Sequence, residues 1–357
     1  MGLFDILVYL AIYLTLAILL LSALAVMAHA RSEVKEKEIH IKREQAQRVL
    51  LAFLGGSADQ ETTIGKLREQ ESGIVEGVLL QAIGDSDPKA RPPLQQLAQA
   101  MGLVQKELAA LTDRSWAIRL QAVTRLGYLG SREPIESLVA ALQDEMLDVR
   151  MAAAHSLARL QAAEAVVPIL QELSLPAQWP MQRVAESLAE MGAAAVAPLL
   201  AYLDSPDITD AGRAAAIRAL GLLKAEETVP ALLRHLGHAD PEIRIQSAKA
   251  LGELGAIEAV AALLSAMDDE VWEVRSAAAQ ALGHLSDPKV IPRLIKGLSD
   301  SAWWVRFNSA DGLYRLGSKG VEALRSMFGS EDQFACEISR QVLEEHGHFV
   351  AEQGAES

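Results

Sequence analysis

The amino-acid sequence predicts an all-α fold, an α-solenoid of about eight helix pairs preceded by one transmembrane helix. Three observations predict it. An arginine recurs every 31 or 32 residues with leucines in a constant register after it, each such unit contains two apolar patterns of helical period, and an apolar run of 23 residues lies near the first residue. A repeat of this length is typical of helix pairs that stack on their neighbours.

The repeat is clearest around Arg306, where Leu313 and Leu316 follow seven and ten residues later. Met181 takes the arginine position once. The other units keep the register around Arg119, Arg150, Arg213, Arg244 and Arg275. The steps from residue 119 to residue 306 are 31, 31, 32, 31, 31 and 31 residues. Such a constant step indicates a repeat array, which we place at residues 105–347.

Proline and glycine occupy regular places in these units. A proline near the start of the first helix is tolerated because an N–H in the first turn has no helical partner. Glycines eight residues after the arginine position predict close packing between second helices. The prolines are Pro168, Pro198, Pro230 and Pro292, and the glycines are Gly127, Gly221, Gly252 and Gly283.

The pattern D-x-x-x-x-V/I-R-x-x-A-A-x-x-L-G-x-L resembles the HEAT-repeat family, in particular the short repeats of phycobilisome-lyase-like proteins. The resemblance implies a protein-binding scaffold, because most members have that role and few are enzymes. It leaves a bilin-lyase-like enzyme or chaperone as an alternative. A metal-dependent oxidoreductase resembling deoxyhypusine hydroxylase is disfavoured, because those enzymes bind two irons through His-Glu dipeptides and this sequence contains none. We therefore expect no cofactor.

The apolar run Ile6 to Ala28 predicts the transmembrane helix, within a segment of residues 1–30. At 1.5 Å per residue it spans about 34 Å, enough to cross a bilayer core. A cleaved signal peptide is the alternative, since Ala28-His29-Ala30 has a small-x-small pattern, but no basic residue precedes the run and its length exceeds the usual apolar region. Basic residues follow it, which predicts a single-pass protein of a bacterial inner membrane with the repeats in the cytoplasm.

The segments beside the array have distinct compositions. Residues 31–57 predict a charged helix that acts as a spacer, with Glu38 and Lys42 at the favourable four-residue spacing. Residues 58–104 predict a degenerate capping repeat, in which Pro92-Pro93 sit where the second helix begins. Residues 348–357 predict a short disordered tail.

Charge and cysteine content limit the function classes. The net charge is −14, and without Asp5 and the six bases and four acids of residues 31–48 it is −15. So acidic an array lacks the electrostatic footprint of nucleic-acid binding, and a basic protein surface suits it better as a partner. The single Cys336 excludes an intramolecular disulfide and favours a small buried residue in the last repeat over a catalytic thiol.

Aspartates recur six residues before the arginine position, which predicts a structural Asp–Arg pair between adjacent units. They are Asp113, Asp144, Asp207, Asp269 and Asp300. We expect these and the repeat arginines to form the framework. His235 and His238 could hold a metal together with Asp240, but surface residues at a helix end are the favoured interpretation.

The candidate partner-binding residues form two sets. All tryptophans fall in the turn that leads into a second helix, so stacking predicts one aromatic edge, unless each ring closes over its own turn. The second set lies two, five or nine residues after the arginine position, on the predicted inner surface. The first set is Trp116, Trp179, Trp272, Trp303 and Trp304; the second is His155, Arg159, Arg183, Arg218, Lys249 and Arg315. Together they predict a membrane-anchored adaptor that docks protein partners.

Overall fold

A computed structural model describes residues 3–87, 89–172 and 180–348. Within these ranges the regular secondary structure is helical, with no strand. The chain divides into two compact units, Met1–Ala109 with Tyr128–Ser131, and Ala110–Gly127 with Arg132–Ser357. Trp179 and residues 349–357 of the predicted tail lie outside the described residues. The chain is a solenoid-like protein of helical repeats.

The first unit holds the helices that precede the regular array. They are α1 (Leu3–Leu54), α2 (Gln60–Arg68), α3 (Ser72–Asp85), α4 (Arg91–Ala100) and α5 (Leu103–Ala110). The prolines of the degenerate repeat lie at the second and third positions of α4. A backbone N–H in this first turn has no partner within the helix, so its absence in proline removes no helical hydrogen bond. Apolar side chains from α3 and α4 are fully buried, as in the regular repeats.

Helix α1 continues without a break through the predicted spacer. Ala46 and Leu50 near its end are buried, and the end of α1 packs on α3. Lys42 binds Glu38 at 2.6 Å and reaches Glu71 at 3.2 Å. The last turns of α1 therefore belong to the packed structure.

The predicted transmembrane run Ile6 to Ala28 lies within α1, and the side chains of residues 3–19 fall outside the described part of the chain. Among the described residues, no single helix is both long and apolar enough to cross a bilayer. One pair of helices, Met181–Glu190 and Gly192–Leu203, meets that test jointly on length and composition, with a bend of 116°.

The second unit contains the array. Its second helices, one from each repeat, are α6 (Trp116–Leu129), α8 (Leu147–Arg159), α10 (Met181–Glu190), α12 (Asp210–Leu223), α14 (Pro241–Leu254), α16 (Trp272–Leu285), α18 (Trp303–Arg315) and α20 (Gln333–Glu345). The first helices are α7 (Ile135–Ala141), α9 (Val166–Glu172), α11 (Val196–Leu203), α13 (Val229–His235), α15 (Val260–Ala266), α17 (Ile291–Gly297) and α19 (Ser318–Ser326). The repeat prolines fall in the first turn of first helices, as the sequence predicts.

Second helices of consecutive repeats pack against one another from α10 through α18. The repeat glycines permit the close approach. A Cβ added to Gly283 would lie 2.5 Å from the Cα of Gly312, and one added to Gly252 would lie 2.7 Å from the Cα of Ala281. These contacts confirm the predicted role of the glycines. They also place α12, α14, α16 and α18 side by side.

Candidate functional site

The repeat arginines form rungs that join consecutive repeats. Arg244 donates from Nε and Nη2 to the two carboxylate oxygens of Asp269, both at 2.8 Å. Its Nη1 donates to the His238 carbonyl of its own repeat at 2.9 Å. Rungs of the same form join Arg119 to Asp144 and Arg275 to Asp300. Each arginine thus binds the aspartate 25 residues later, in the next repeat.

Each rung aspartate also accepts a backbone N–H hydrogen bond just before its second helix begins. Oδ1 of Asp269 accepts the backbone N–H of Val271 at 2.9 Å, and Asp300 accepts that of Ala302 in the same way. Burial raises the pKa of Asp269, but the hydrogen bonds from Arg244 and Val271 outweigh burial, and the pKa lies below its ordinary value. These carboxylates are fully engaged, which gives them a framework role.

Two further repeat arginines make the same contact within their own repeat. Arg150 and Arg306 each donate from Nη1 to the carbonyl of the aspartate six residues before, at 2.8 Å. The guanidinium of Arg306 also lies 4.6 Å from the ring centre of Phe334. Asp113 accepts the N–H of Ser115 at 2.7 Å. Asp207 is exposed, and the repeat before it has Met181 in the arginine position.

The series of rungs is interrupted at Arg213. His238 occupies the position 25 residues later, where the other rungs have an aspartate. Arg213 donates to the Leu203 carbonyl at 3.2 Å, and its Nη1 lies 3.3 Å from Nε2 of His235. His235 is buried, so the expectation of a surface histidine is wrong at this residue. Its position on the inward side of α13 explains the difference.

The geometry also opposes a metal at this histidine pair. Nδ1 of His235 lies 2.8 Å from the Ala231 carbonyl, so both ring nitrogens face protein groups. Burial, as the main cause, lowers the pKa of His235. Nδ1 of His238 accepts the N–H of Asp240 at 3.1 Å. Across the part of the chain that the structure describes, no three His, Cys, Asp or Glu side chains are grouped to hold a metal ion.

Three adjoining clefts, of about 720, 260 and 460 Å³, run along the exposed faces of α12, α14, α16 and α18, and the second also reaches Gln182 on α10. The first and second share Glu253 and His284, and the second and third share Lys249 and Gln280. We call the three together the groove. Its other lining residues include Gln182, Arg218, Lys224, Glu242, Gln246, Trp272, Glu273, Ser276, Trp304, Asn308 and Arg315.

The middle of the groove is polar and mostly paired. Arg218 on α12 binds Glu253 on α14 at 2.6 Å, and Gln246 donates to Glu242 at 2.7 Å. The pKa of His284 is lowered, first by burial and then by the positive charge of Arg315, which favours the neutral imidazole. An open, mixed-charge channel of this kind is unlike the enclosed apolar pocket of a small-molecule site.

The four tryptophans that the structure describes are partly exposed. Trp272 and Trp304 are 39% and 52% exposed and line the third cleft. Trp303 is 41% exposed, stacks on Phe307 with ring centres 5.1 Å apart, and meets Trp304 edge to face at 4.7 Å. Trp116 on α6 is also exposed, at 43%.

Three residues escaped the sequence analysis, and of these Gln280 and Asn308 line the groove. Gln280 and Asn308 lie five and two residues after the arginine position, in the inner-surface register, but their neutral side chains drew no attention. Phe334, 58% exposed, follows the aromatic edge one repeat further because it takes the place that Trp304 has in its own repeat. Applying the register to every side chain type would have found all three.

The other inner-surface candidates lie away from the groove. His155 binds Glu190 at 2.9 Å, and Arg159 donates to His155 at 3.1 Å, which joins α8 to α10. Arg183 on α10 is exposed. Arg315, which does line the first cleft, pairs with Asp311 on its own helix at 2.7 Å. Of these candidates, Arg218, Lys249 and Arg315 line the groove, His155 and Arg159 form a cluster on α8, and Arg183 on α10 belongs to neither.

Cys336 differs from the buried residue that the sequence predicts. It is partly buried, and its Sγ donates to the carbonyl of Phe328 at 3.6 Å. The difference arises because Cys336 holds the arginine position, where the side chains of Arg150, Arg275 and Arg306 are likewise only partly buried.

Fold and groove define a class of protein, a solenoid-like stack of helix pairs whose second helices present a long polar surface. A model of HEAT repeats matches residues 104–189, 196–282 and 260–344, more than half of the chain. The protein belongs to the HEAT-repeat family. Among curated proteins, none matches the chain.

One solved structure agrees with this assignment at the level of the fold. The chain is similar to the karyopherin Kap121p bound to the SUMO protease Ulp1p, with 11% identity over 87% of this chain and 42% of that one, and a TM-score of 0.53. The CpcE–CpcF phycocyanin lyase complex of Nostoc sp. PCC7120 shows 19% identity over 63% and 93%, with a TM-score of 0.34. Human deoxyhypusine hydroxylase in complex with glycerol shows 20% identity over 80% of this chain and 98% of that one, with a TM-score of 0.32.

Proposed function

We propose that this protein is a membrane-anchored adaptor whose HEAT repeats dock a protein partner in the groove. The observation that carries the proposal is the continuity of the groove, which is lined by residues of five second helices, α10 to α18, and ends at two exposed tryptophans. Partly exposed tryptophan is enriched among the residues that contribute most to protein binding. The groove is polar and open, whereas small-molecule sites are mostly apolar and enclosed. This form favours a segment of a protein as the occupant.

The enzyme alternatives have less support. A bilin-lyase-like activity rests only on the repeat subtype that the sequence resembles. A hydroxylase-like metal centre has no His-Glu dipeptides in this sequence to supply ligands. A tetrapyrrole absorbance band or a bound transition metal in the purified full chain would favour these alternatives over the adaptor.

The anchor is the second part of the proposal. Large apolar side chains of α1 are widely exposed, including Leu20 at 63%, Leu21 at 66% and Val26 at 68%. Several such side chains on one helix form a surface that water solvates poorly and lipid solvates well. The basic residues that follow support an orientation with the repeats in the cytoplasm. Confinement beside a membrane partner would raise its effective concentration at the groove.

The test is capture of partners by the tagged full chain in mild detergent, followed by mass spectrometry. Replacing Trp303 and Trp304 together by alanine should reduce a captured partner at least several-fold while far-ultraviolet circular dichroism stays unchanged, because both rings are exposed. Trp116→Ala is the matched control, since that exposed ring lies on α6, outside the groove. Equal capture by all variants would refute docking at the aromatic end.

A further inference from the structure

The third cleft of the groove, between α14, α16 and α18, combines aromatic and acidic side chains. Trp272 and Trp304 line it together with the carboxylates of Glu242 and Glu273. Lys249 is the one positively charged residue among those that line it. The cleft holds about 460 Å³, enough for one or two large side chains. Two carboxylates against one ammonium give this end of the groove a net negative charge.

The cleft is also rich in hydrogen-bond acceptors. The amide nitrogen of Asn308 donates to Ser276, at 2.7 Å from its Oγ and 3.4 Å from its carbonyl oxygen. The donors of Asn308 are therefore directed away from a ligand. Glu242 and Glu273 are both exposed. Glu242 accepts one hydrogen bond, from Gln246, and retains further acceptor sites on its carboxylate. A ligand group that enters the cleft therefore meets acceptors and the faces or edges of two indoles.

We propose that this cleft is a subsite for an arginine side chain of the partner protein. A guanidinium is planar and can stack on an indole, and its N–H fork matches a carboxylate, whereas a lysine ammonium supplies only a point charge. The second unit as a whole is acidic, which favours the approach of a basic segment. The inference rests on the proposed function, because it names the chemistry of what docks in the groove.

Other occupants fit less well. A carboxylate would meet Lys249 but also two like charges. Single-stranded nucleic acid could stack on the tryptophans, but its phosphates would lie beside the same two carboxylates. Both occupants are outcomes of the test below.

The experiment measures fluorescence anisotropy of a labelled twelve-residue peptide, with four arginines in a glycine and serine background, against the full chain in detergent. Peptides with lysine, glutamine or glutamate in place of arginine are the comparison. The expected order of affinity is arginine, then lysine, with glutamine and glutamate far weaker. Glu242→Gln with Glu273→Gln should weaken arginine-peptide binding about tenfold or more, and Trp272→Leu should weaken it by a similar factor.

The matched control removes the same charge elsewhere. Glu226→Gln with Glu258→Gln neutralises two exposed acids before α13 and α15, outside the groove, and should leave binding within about twofold, since unpaired surface charges contribute little at ordinary salt. Equal loss in both double variants, or preference for the glutamate peptide or for a single-stranded oligonucleotide, would overturn the arginine subsite.

The peptide result separates this inference from the proposed function. If a partner is captured through Trp303 and Trp304 but its binding ignores Glu242→Gln with Glu273→Gln, the adaptor stands and the arginine subsite falls. If the arginine peptide binds through Glu242 and Glu273 while no partner is captured, the subsite stands and the adaptor role loses its support.

Discussion

At the residue scale, the Arg244–Asp269 rung shows why these two residue types recur. Both side chains are largely shielded from water, at 10% and 14% exposure, and two parallel hydrogen bonds hold them together. Such a pair is costly to break, because the surviving partner keeps its charge in a poorly hydrated place. A pair on the open surface has no such penalty, because water replaces the lost partner.

Arg244→Ala should therefore lower the free energy of unfolding by about 2 kcal/mol. Arg234→Ala is the control, because Arg234 and Asp204 form a pair of similar length, 2.9 Å, that is 61% and 69% exposed. Its loss should cost less than about 1 kcal/mol. Urea unfolding followed by circular dichroism measures both values, and equal losses would show that the rung is no stronger than a surface pair.

The rungs also predict how stability depends on pH. The pKa values of Asp144, Asp269 and Asp300 are lowered in the folded protein; at Asp144 the hydrogen bond from Arg119 is the main cause. A lowered folded pKa adds stability that is complete above the unfolded value of about 3.9 and is lost as pH falls through the folded value. Glu172, whose pKa burial raises, acts in the opposite direction.

We therefore expect the urea midpoint to fall steeply below about pH 4. His235 and His284 have lowered pKa values, so protonating them opposes folding and should add a shallower fall beginning near pH 6.5. Asp269→Asn, already less stable at pH 7, should show a smaller further loss below pH 4. An unchanged midpoint from pH 7 to pH 3 would contradict the assignment of the rungs as ionised pairs.

At the element scale, the contact between α16 and α18 depends on glycine. Gly283 meets Gly312 so closely that a methyl group on it would lie 2.5 Å from a backbone carbon, which cannot move without shifting a helix. Gly283→Ala should therefore cost about 1–3 kcal/mol through overpacking. Gly237→Ala is the control, because no atom lies within 4 Å of an added Cβ there. Thermal unfolding of both variants decides the question.

The interrupted rung at Arg213 is the second element-scale feature. Nε of Arg213 is buried without a hydrogen-bond partner among the described residues, since His238 replaces the aspartate that the other rungs contain. His238→Asp should complete the rung between α12 and α14 and raise the melting temperature by a few degrees. His238→Asn can still accept a backbone N–H but brings no charge, so it should give little or no gain. A lower melting temperature for His238→Asp would argue against a carboxylate at this position.

At the scale of the whole molecule, the proposed adaptor consists of an apolar helix that anchors it in a membrane and an acidic repeat array that docks the partner. The full chain should remain in the membrane pellet after alkaline carbonate washing, because removal of some twenty apolar residues from lipid is strongly unfavourable. A chain that begins at Ser32 should appear in the soluble fraction. Protease added to intact cells should spare the repeats; their digestion would contradict the proposed orientation.

The sequence by itself determined the repeat, its length and most residue roles. The constant spacing of Arg119 through Arg306 identifies the framework, because each repeat must place the same atoms against the next. The prolines of the first helices and the glycines of the second follow from backbone requirements that are local to one or two helices. These inferences needed no knowledge of which distant side chains meet.

Only the tertiary structure decided which candidates share a site. It placed Trp272 and Trp304 beside Glu242 and Glu273 in one cleft, although the four come from three helices up to 62 residues apart. It also buried His235 and packed the last turns of α1 against α3. Whether a side chain is buried, and which charges surround it, depends on how separate helices pack against each other. A sequence pattern shows which residues share one face of a helix, but it does not show which face of another helix packs against them.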